Sequence, residues 1–181
     1  MVTTESDDPR TDEELIGAAQ TGDVDAFEVL YRRYRDWVMR LALRRTRTQD
    51  EALDVLQDTF EYVLRKLPDL ELRAQFSSFL YPVVCNLARM VGRRRRRSMK
   101  ALDFDPPAQA SEEPGADLAD ALGGLPAHQR DVVLLRFVDG RSLQEIAELL
   151  AVPLGTVKSR LHKALAALRE DPRTRRYFQE E

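Results

Sequence analysis

The chain has 181 residues, a formal net charge of −3, 43% hydrophobic and 33% charged residues, which suits one large or two small soluble domains and excludes a wholly disordered chain. No stretch approaches the roughly 18 apolar residues of a membrane span, and the acidic N-terminus lacks the basic and apolar parts of a signal peptide, so no membrane insertion is expected. The single cysteine, Cys85, excludes an internal disulfide and, with His128 and His162 far apart, leaves no zinc-ligand set, which fits a cytoplasmic protein with no metal and no cofactor.

In chain order, residues 1–10 read as a disordered acidic N-terminus. Thr11-Asp12-Glu13-Glu14 forms a capping box that opens a short helix ending near Gly22. Phe27, Leu30, Tyr31, Tyr34, Trp37, Val38 and Leu41 follow at the spacing of one buried helical stripe. Thr48-Gln49-Asp50-Glu51 is a second capping box, before a helix whose core face carries Ala52, Val55, Leu56, Phe60, Val63, Leu64 and Leu67 and which Pro68 ends. A fourth helix starts near Ser77 or Ser78, carries Leu80, Val83, Val84, Cys85, Leu87 and Val91, and runs into Arg93–Arg97. Pro82 lies early in it, either ahead of full helical bonding or at a kink. The first block, 11–100, is all-α.

Periodicity is lost from Ala101 to Gly124, where Pro106-Pro107, Pro114-Gly115 and Gly123-Gly124 punctuate an acidic stretch. This predicts a linker that extends at most about 80 Å. The second block, 125–170, carries Pro126 near a helix start, Val132, Val133, Leu135, Arg136 and Phe137 along that helix, and Asp139-Gly140 at its end. Ser142 with Glu145 caps a short helix, Ala151-Val152-Pro153 turns, and Leu154–Arg169 forms a last helix burying Val157, Leu161, Ala164, Leu165 and Leu168. Residues 171–181 form a tail. The predicted fold class is all-α, two small helical domains joined by an acidic linker.

Charge is sharply segregated along this layout. Residues 1–14 carry −5, 93–100 carry +6, 101–124 carry −6 and 125–170 carry +2, while 15–92 and 171–181 are neutral. The small total therefore does not argue against an anionic partner, because two cationic segments flank an anionic one.

The helix, three-residue turn and second helix of the second block match helix-turn-helix geometry, in which the second helix enters the DNA major groove. From Pro153 to Arg169 there are four bases and no acid. Lys158, Ser159, His162 and Lys163 share a face opposite the apolar stripe and are able to bond base edges. An ordinary helical hairpin with a solvated basic face is the alternative that the composition also allows. In the first block, Asp54, Gln57, Asp58, Glu61 and Arg65 line one polar stripe, which suits a basic partner helix or plain solvation.

The run Gly140-Arg-Ser-Leu-Gln-Glu-Ile-Ala through Gly155-Thr-Val-Lys-Ser-Arg-Leu161 resembles region 4 of bacterial extracytoplasmic-function (group IV) sigma factors. Asp25-Ala-Phe27 with Leu30-Tyr31 and Tyr34, and Asp54-Val-Leu-Gln-Asp-Thr-Phe60, resemble region 2 of the same family. The resemblance implies a subunit that directs RNA polymerase to promoters. Region 4 would bind the −35 element through Arg141, Thr156, Lys158, Ser159, Arg160, His162 and Lys163, and would touch the polymerase flap. Asp54, Gln57, Asp58 and Glu61 would dock on the core polymerase clamp. The stretch Asp69–Gln75 corresponds to the family's loop that captures a flipped −10 base, and Phe79–Asn86 resembles its −10 helix. The implied −10 contacts are Asp69, Arg73, Asn86, Arg89, Arg93 and Arg94, with two or three of the consecutive arginines reaching phosphate. Phe79 where Trp is usual, Pro82 inside the helix and Met90 where Asp is common depart from the family pattern.

The resemblance also implies an anti-sigma factor as a partner, a monomer when free, and nucleoid association within holoenzyme. Residues 103–120 of the acidic linker are expected to mimic RNA in the polymerase's cationic channel. A one-component repressor or activator using the helix-turn-helix alone is the competing reading. No Walker A, GxGxxG, nucleophile elbow or HExxH is present, so no catalytic residue is assigned and an enzyme is not expected.

Overall fold

Side-chain caps open four of the described helices. The computed structural model describes residues 8–72, 74–101 and 116–175. Thr11 opens α1 (Asp12–Gln20): its hydroxyl accepts from the Glu14 N–H at 3.3 Å and Glu14 accepts from the Thr11 N–H at 2.7 Å. This box satisfies donors that every helix start leaves unpaired. Asp23 caps α2 (Val24–Leu43) by accepting from Ala26. Thr48 caps α3 (Gln49–Lys66), yet only half of the expected box forms. The Glu51 carboxylate accepts instead from the Arg47 N–H and from Arg95. A 3₁₀ turn, Leu67–Asp69, follows α3, with Pro68 in its first residues, where the missing N–H is harmless.

The fourth helix, α4 (Phe76–Ala101), begins a residue or two before the expected start and runs through Pro82. Pro82 has no N–H for the Ser78 carbonyl, so the helix lacks that hydrogen bond, and its ring lies on the exposed side. Helices α1 to α4 form one compact unit. Its core contains Leu15, Leu30, Val38, Val55, Val63, Phe76, Leu80 and Val84, each fully buried, and burying such a side chain stabilises by roughly 1.5–3 kcal/mol. An aromatic row locks α4 to its neighbours. Tyr34 meets Phe76 edge-on at 5.1 Å, Phe76 stacks on Phe79 at 6.0 Å, and Phe79 stacks on Tyr62 at 6.2 Å. Cys85 is half-buried. Leu64 departs from its expected core position and is 48% exposed, because the α3 core stripe runs through Thr59, Phe60 and Val63 instead.

Two expected boundaries shift. Residues 8–10, assigned to the disordered N-terminus, are fastened to α1 and α2. Arg10 pairs with Asp8 at 2.6 Å and Asp23 at 3.3 Å. Arg33 pairs with Asp12 at 2.6 Å and donates to the carbonyls of Asp8 and Arg10. Residues 1–7 lie outside the described residues.

The second shift concerns the linker. Ala116–Gly124, expected as its end, forms helix α5. Nine residues make a marginal helix alone, but Ala121, Leu122 and the following Leu125 pack on Val133, Leu161, Ala164 and Leu168. Residues 102–115, which hold the rest of the expected linker, lie outside the described residues.

Helix α5 belongs to the second unit, with α6 (Ala127–Phe137), α7 (Leu143–Leu150) and α8 (Leu154–Glu170). Pro126 and Pro153 precede α6 and α8 as N-cap residues. Ser142 and Glu145 form the expected capping box at α7. Ala151 ends α7 in the left-handed region, at φ +51° and ψ +46°, and the Val152 N–H returns to the Ala147 carbonyl at 3.0 Å. This turn sets α8 across α7. The tail is not wholly separate: Thr174 is fully buried and its hydroxyl donates to the Leu168 carbonyl, while 176–181 lie outside the described residues.

Candidate nucleic-acid interface

On α3 the core stripe of Ala52, Val55, Thr59, Phe60 and Val63 leaves Asp54, Gln57, Asp58, Glu61 and Arg65 exposed along the opposite side. Gln57 donates to Glu61 at 2.8 Å, and the Arg65 guanidinium lies 5.9 Å from the Tyr62 ring. Leu53 and Leu64, 47% and 48% exposed, flank these polar groups. The stripe is thus a mixed surface of acids and leucines, not a purely polar one.

On α4, Pro82, Asn86, Arg89, Arg93 and Arg97 are exposed and recur at helical spacing, so they share a face. Arg89 donates to the Asn86 side-chain Oδ1 at 2.7 Å. Arg94 is exposed on an adjoining face. Arg95 turns the other way: it pairs with Glu51 at 3.2 Å and is held at 30% exposure. The arginine run is therefore divided between an inward tie to α3 and outward cations. Asp69 is exposed at the end of the 3₁₀ turn, which the Gln20 amide holds by donating to the Leu67 and Leu70 carbonyls at 2.9 and 3.0 Å. Arg73 lies outside the described residues.

On α8, Val157, Ala164 and Leu168 are buried while Leu161 and Leu165 are only partly so. The polar side divides into two stripes. Lys158 and His162 stand exposed at i and i+4. Thr156, Ser159, Arg160 and Lys163 face a cleft of about 560 Å³ that they share with Gly155 and with His128 and Gln129 of α6. Arg141 is not in this group. It pairs with Glu145 at 3.2 Å, and hydrogen bonds from Ser142, then from Arg141, hold the Glu145 carboxyl down at about 2.

His128 and Gln129 were not recognisable as site residues in the sequence. They stand about thirty residues before Ser159, with no periodicity to connect them, and only the packing of α6 on α8 brings them alongside. The exposed Leu53 carried a usable signal, since an apolar residue off the α3 core register is visible by counting. Among the described residues no group of three or more metal-ligating side chains occurs, and no helix is long and apolar enough to cross a membrane.

A four-helix unit with segregated acidic and cationic faces, and a second unit ending in a helix-turn-helix, are the architecture of a DNA-binding transcription protein. The model described as Sigma-70 region 2 matches residues 30–98, and that described as Sigma-70, region 4 matches residues 116–168. The ECF RNA polymerase sigma factor SigE of Mycolicibacterium smegmatis is 36% identical over 185 residues, covering 92% of this chain and 72% of its own. Among solved structures, CnrH in complex with the cytosolic domain of CnrY aligns with a TM-score of 0.66 at 27% identity, over 86% of this chain and 93% of that one. The sigma factor RpoE of Bartonella quintana, in complex with the anti-sigma factor NepR, gives 0.61 at 25% identity, over 81% and 96%.

The chain belongs to the extracytoplasmic-function family of RNA polymerase sigma factors. As such it directs core polymerase to specific promoters and initiates transcription. The region 2 match accounts for the first unit, which the repressor reading left without a role.

Proposed function

We propose that the three exposed faces divide the work of promoter engagement. Asp54, Gln57, Asp58 and Glu61, with Leu53 and Leu64 beside them, dock on a basic helical surface of the polymerase clamp: the acids steer and the leucines bury apolar area. Asp69 and Arg73 at the loop, and Asn86, Arg89, Arg93 and Arg94 on α4, engage the −10 element, with the arginines supplying salt-sensitive phosphate affinity. Arg95 is not part of that surface, because Glu51 already neutralises it.

In the second unit, Lys158 and His162 read base edges of the −35 element from the exposed crest of α8, helped by Thr156, Ser159, Arg160 and Lys163. Arg141 acts from the α7 cap, where its pairing with Glu145 fixes its position. The same unit contacts the polymerase flap. The protein works in the cytoplasm, joins the nucleoid as holoenzyme, and is monomeric when free. It brings no chemistry of its own to the reaction. The complex of the RpoE relative with NepR supports an anti-sigma factor as the partner that holds the free protein inactive.

The observation that carries this reading is the placement of opposite charges on separate exposed faces of adjacent helices, acids on α3 and cations on α4. Run-off transcription with core polymerase on a genomic promoter pool tests it. The chain should yield discrete start sites sharing two sequence elements. The Asp54→Lys/Asp58→Lys variant should lose core association at least tenfold while its circular dichroism is unchanged. Equal promoter footprints with and without core polymerase would refute the reading.

A further inference from the structure

Helix α1 lies outside the three faces assigned to promoter engagement and ahead of the residues matched to Sigma-70 region 2. Its last residue nevertheless reaches a functional segment. The Gln20 side-chain amide carries two N–H donors, and one turn takes both: the nitrogen donates to the Leu67 carbonyl at 2.9 Å and to the Leu70 carbonyl at 3.0 Å. Those two carbonyls bracket Pro68 and Asp69. The Leu67 carbonyl also accepts from the Leu70 N–H at 3.2 Å, so the turn is closed from inside and held from outside.

The anchor itself is fixed. Leu15 and Ile16 sink α1 into the core, while Asp12 at its other end pairs with Arg33 at 2.6 Å and accepts from the Tyr34 hydroxyl. Beyond the turn, Phe76 is fully buried and meets the Tyr34 ring at 5.1 Å. Leu70 and Phe76 are therefore two fixed points, with residues 71–75 between them. Fixing both ends of a short loop removes closure freedom before a ligand arrives, so less is lost on binding. Capture of an unstacked base gains from this, because unstacking is already costly and ordering the loop would add to the cost.

We propose that Gln20 is a positioning residue for −10 engagement: it fixes the backbone that presents Asp69, so that the loop meets an unstacked base already in its bound geometry. This rests on the −10 reading of the loop above and adds to it the end of α1, which itself touches no DNA.

The test uses holoenzyme reconstituted from the full chain and core polymerase. Forked promoters leave the −10 non-template strand unpaired and carry one abasic position at a time. The wild type should lose about tenfold in affinity at one or two positions. Gln20→Leu should bind the intact fork about threefold to tenfold more weakly and lose less than about a further twofold at those positions. Gln20→Glu, which offers no donor, should behave like Gln20→Leu. Gln20→Lys keeps N–H donors and should regain the abasic sensitivity, whereas a cation acting only on phosphate would raise affinity equally at every position. Core polymerase affinity should stay within about twofold in all three variants, since Gln20 is exposed and its replacement opens no cavity.

Identical abasic profiles in wild type and Gln20→Leu would overturn the proposal, as would a parallel loss of core affinity, the mark of a merely structural staple. A wild type indifferent to every abasic position would refute the −10 reading of the loop, and the proposal with it.

Discussion

Ala151 supports a prediction that can be worked through in numbers. It is the one non-glycine residue with positive φ among the described residues, at +51°, and it stands at the turn that sets the recognition helix. An L-residue in the left-handed region costs roughly 1–2 kcal/mol, because Cβ crowds the following carbonyl. Glycine escapes that cost but gives the unfolded chain about 0.5–1 kcal/mol more entropy to lose. Ala151 is exposed, so no packing is forfeited, and the Ala151 N–H bond to the Glu148 carbonyl does not need the side chain. Ala151→Gly should therefore stabilise the second unit by about 0.5–1 kcal/mol. For a domain of this size that raises its midpoint by roughly 2–8 °C.

The assay separates the units. The single tryptophan, Trp37, is buried in the first unit, so its fluorescence follows that unit, whereas far-ultraviolet circular dichroism follows both. Ala151→Gly should shift only the dichroism component that the fluorescence does not track, and Ala151→Val should move it the other way. An unchanged or lowered midpoint for the glycine variant would refute the strain argument. A matching shift in Trp37 fluorescence would refute its assignment to the second unit.

Other consequences are equally accessible. The Glu145 carboxyl, depressed from an ordinary 4.5 to about 2 by its bonds to Ser142 and Arg141, contributes stability that is fully present above about pH 4.5 and lost as pH falls toward 2. The stability difference between wild type and Glu145→Gln should shrink over that window when followed by urea unfolding. Thr174→Val removes a buried hydroxyl bond to Leu168 and should cost about 1 kcal/mol in the same measurement. Gln20→Leu removes two donors from the turn before the loop proposed to engage the −10 element. It should speed amide exchange at Leu70 and slow promoter opening, with core binding unchanged. Replacing Asp103, Asp105, Glu112 and Glu113 by their amides should alter the ratio of abortive to full-length transcripts if that segment competes with RNA.

The helix-turn-helix was legible because its signals are local. Ser142 and Glu145 cap one helix, Pro153 opens the next, and the apolar spacing of α8 orients it, so residues a few positions apart determine the outcome. Helix α5 was not legible. Its sequence ends in two glycines and begins beside Pro114-Gly115, and its stability comes from Val133, Ala164 and Leu168, which no local window contains. Glu51 illustrates the same limit at a single residue. Its spacing from Thr48 is right for a box, but Arg95, 44 positions later, takes the carboxylate. The division of the arginine run into inward and outward members, and the approach of His128 to Ser159 and Lys163, likewise depend on which helices pack together.

The start of α5 at Ala116 also fixes a reach. Between Ala101 and Ala116 the chain has 14 residues, and whatever path they take they can bridge at most about 50 Å. That is roughly one and a half turns of duplex, against about two for a linker running to Gly124. The connecting segment is therefore a ruler. It limits how far apart two promoter elements can lie and still be held by one molecule, and lengthening α5 at its N-terminus would shorten the set of usable promoters.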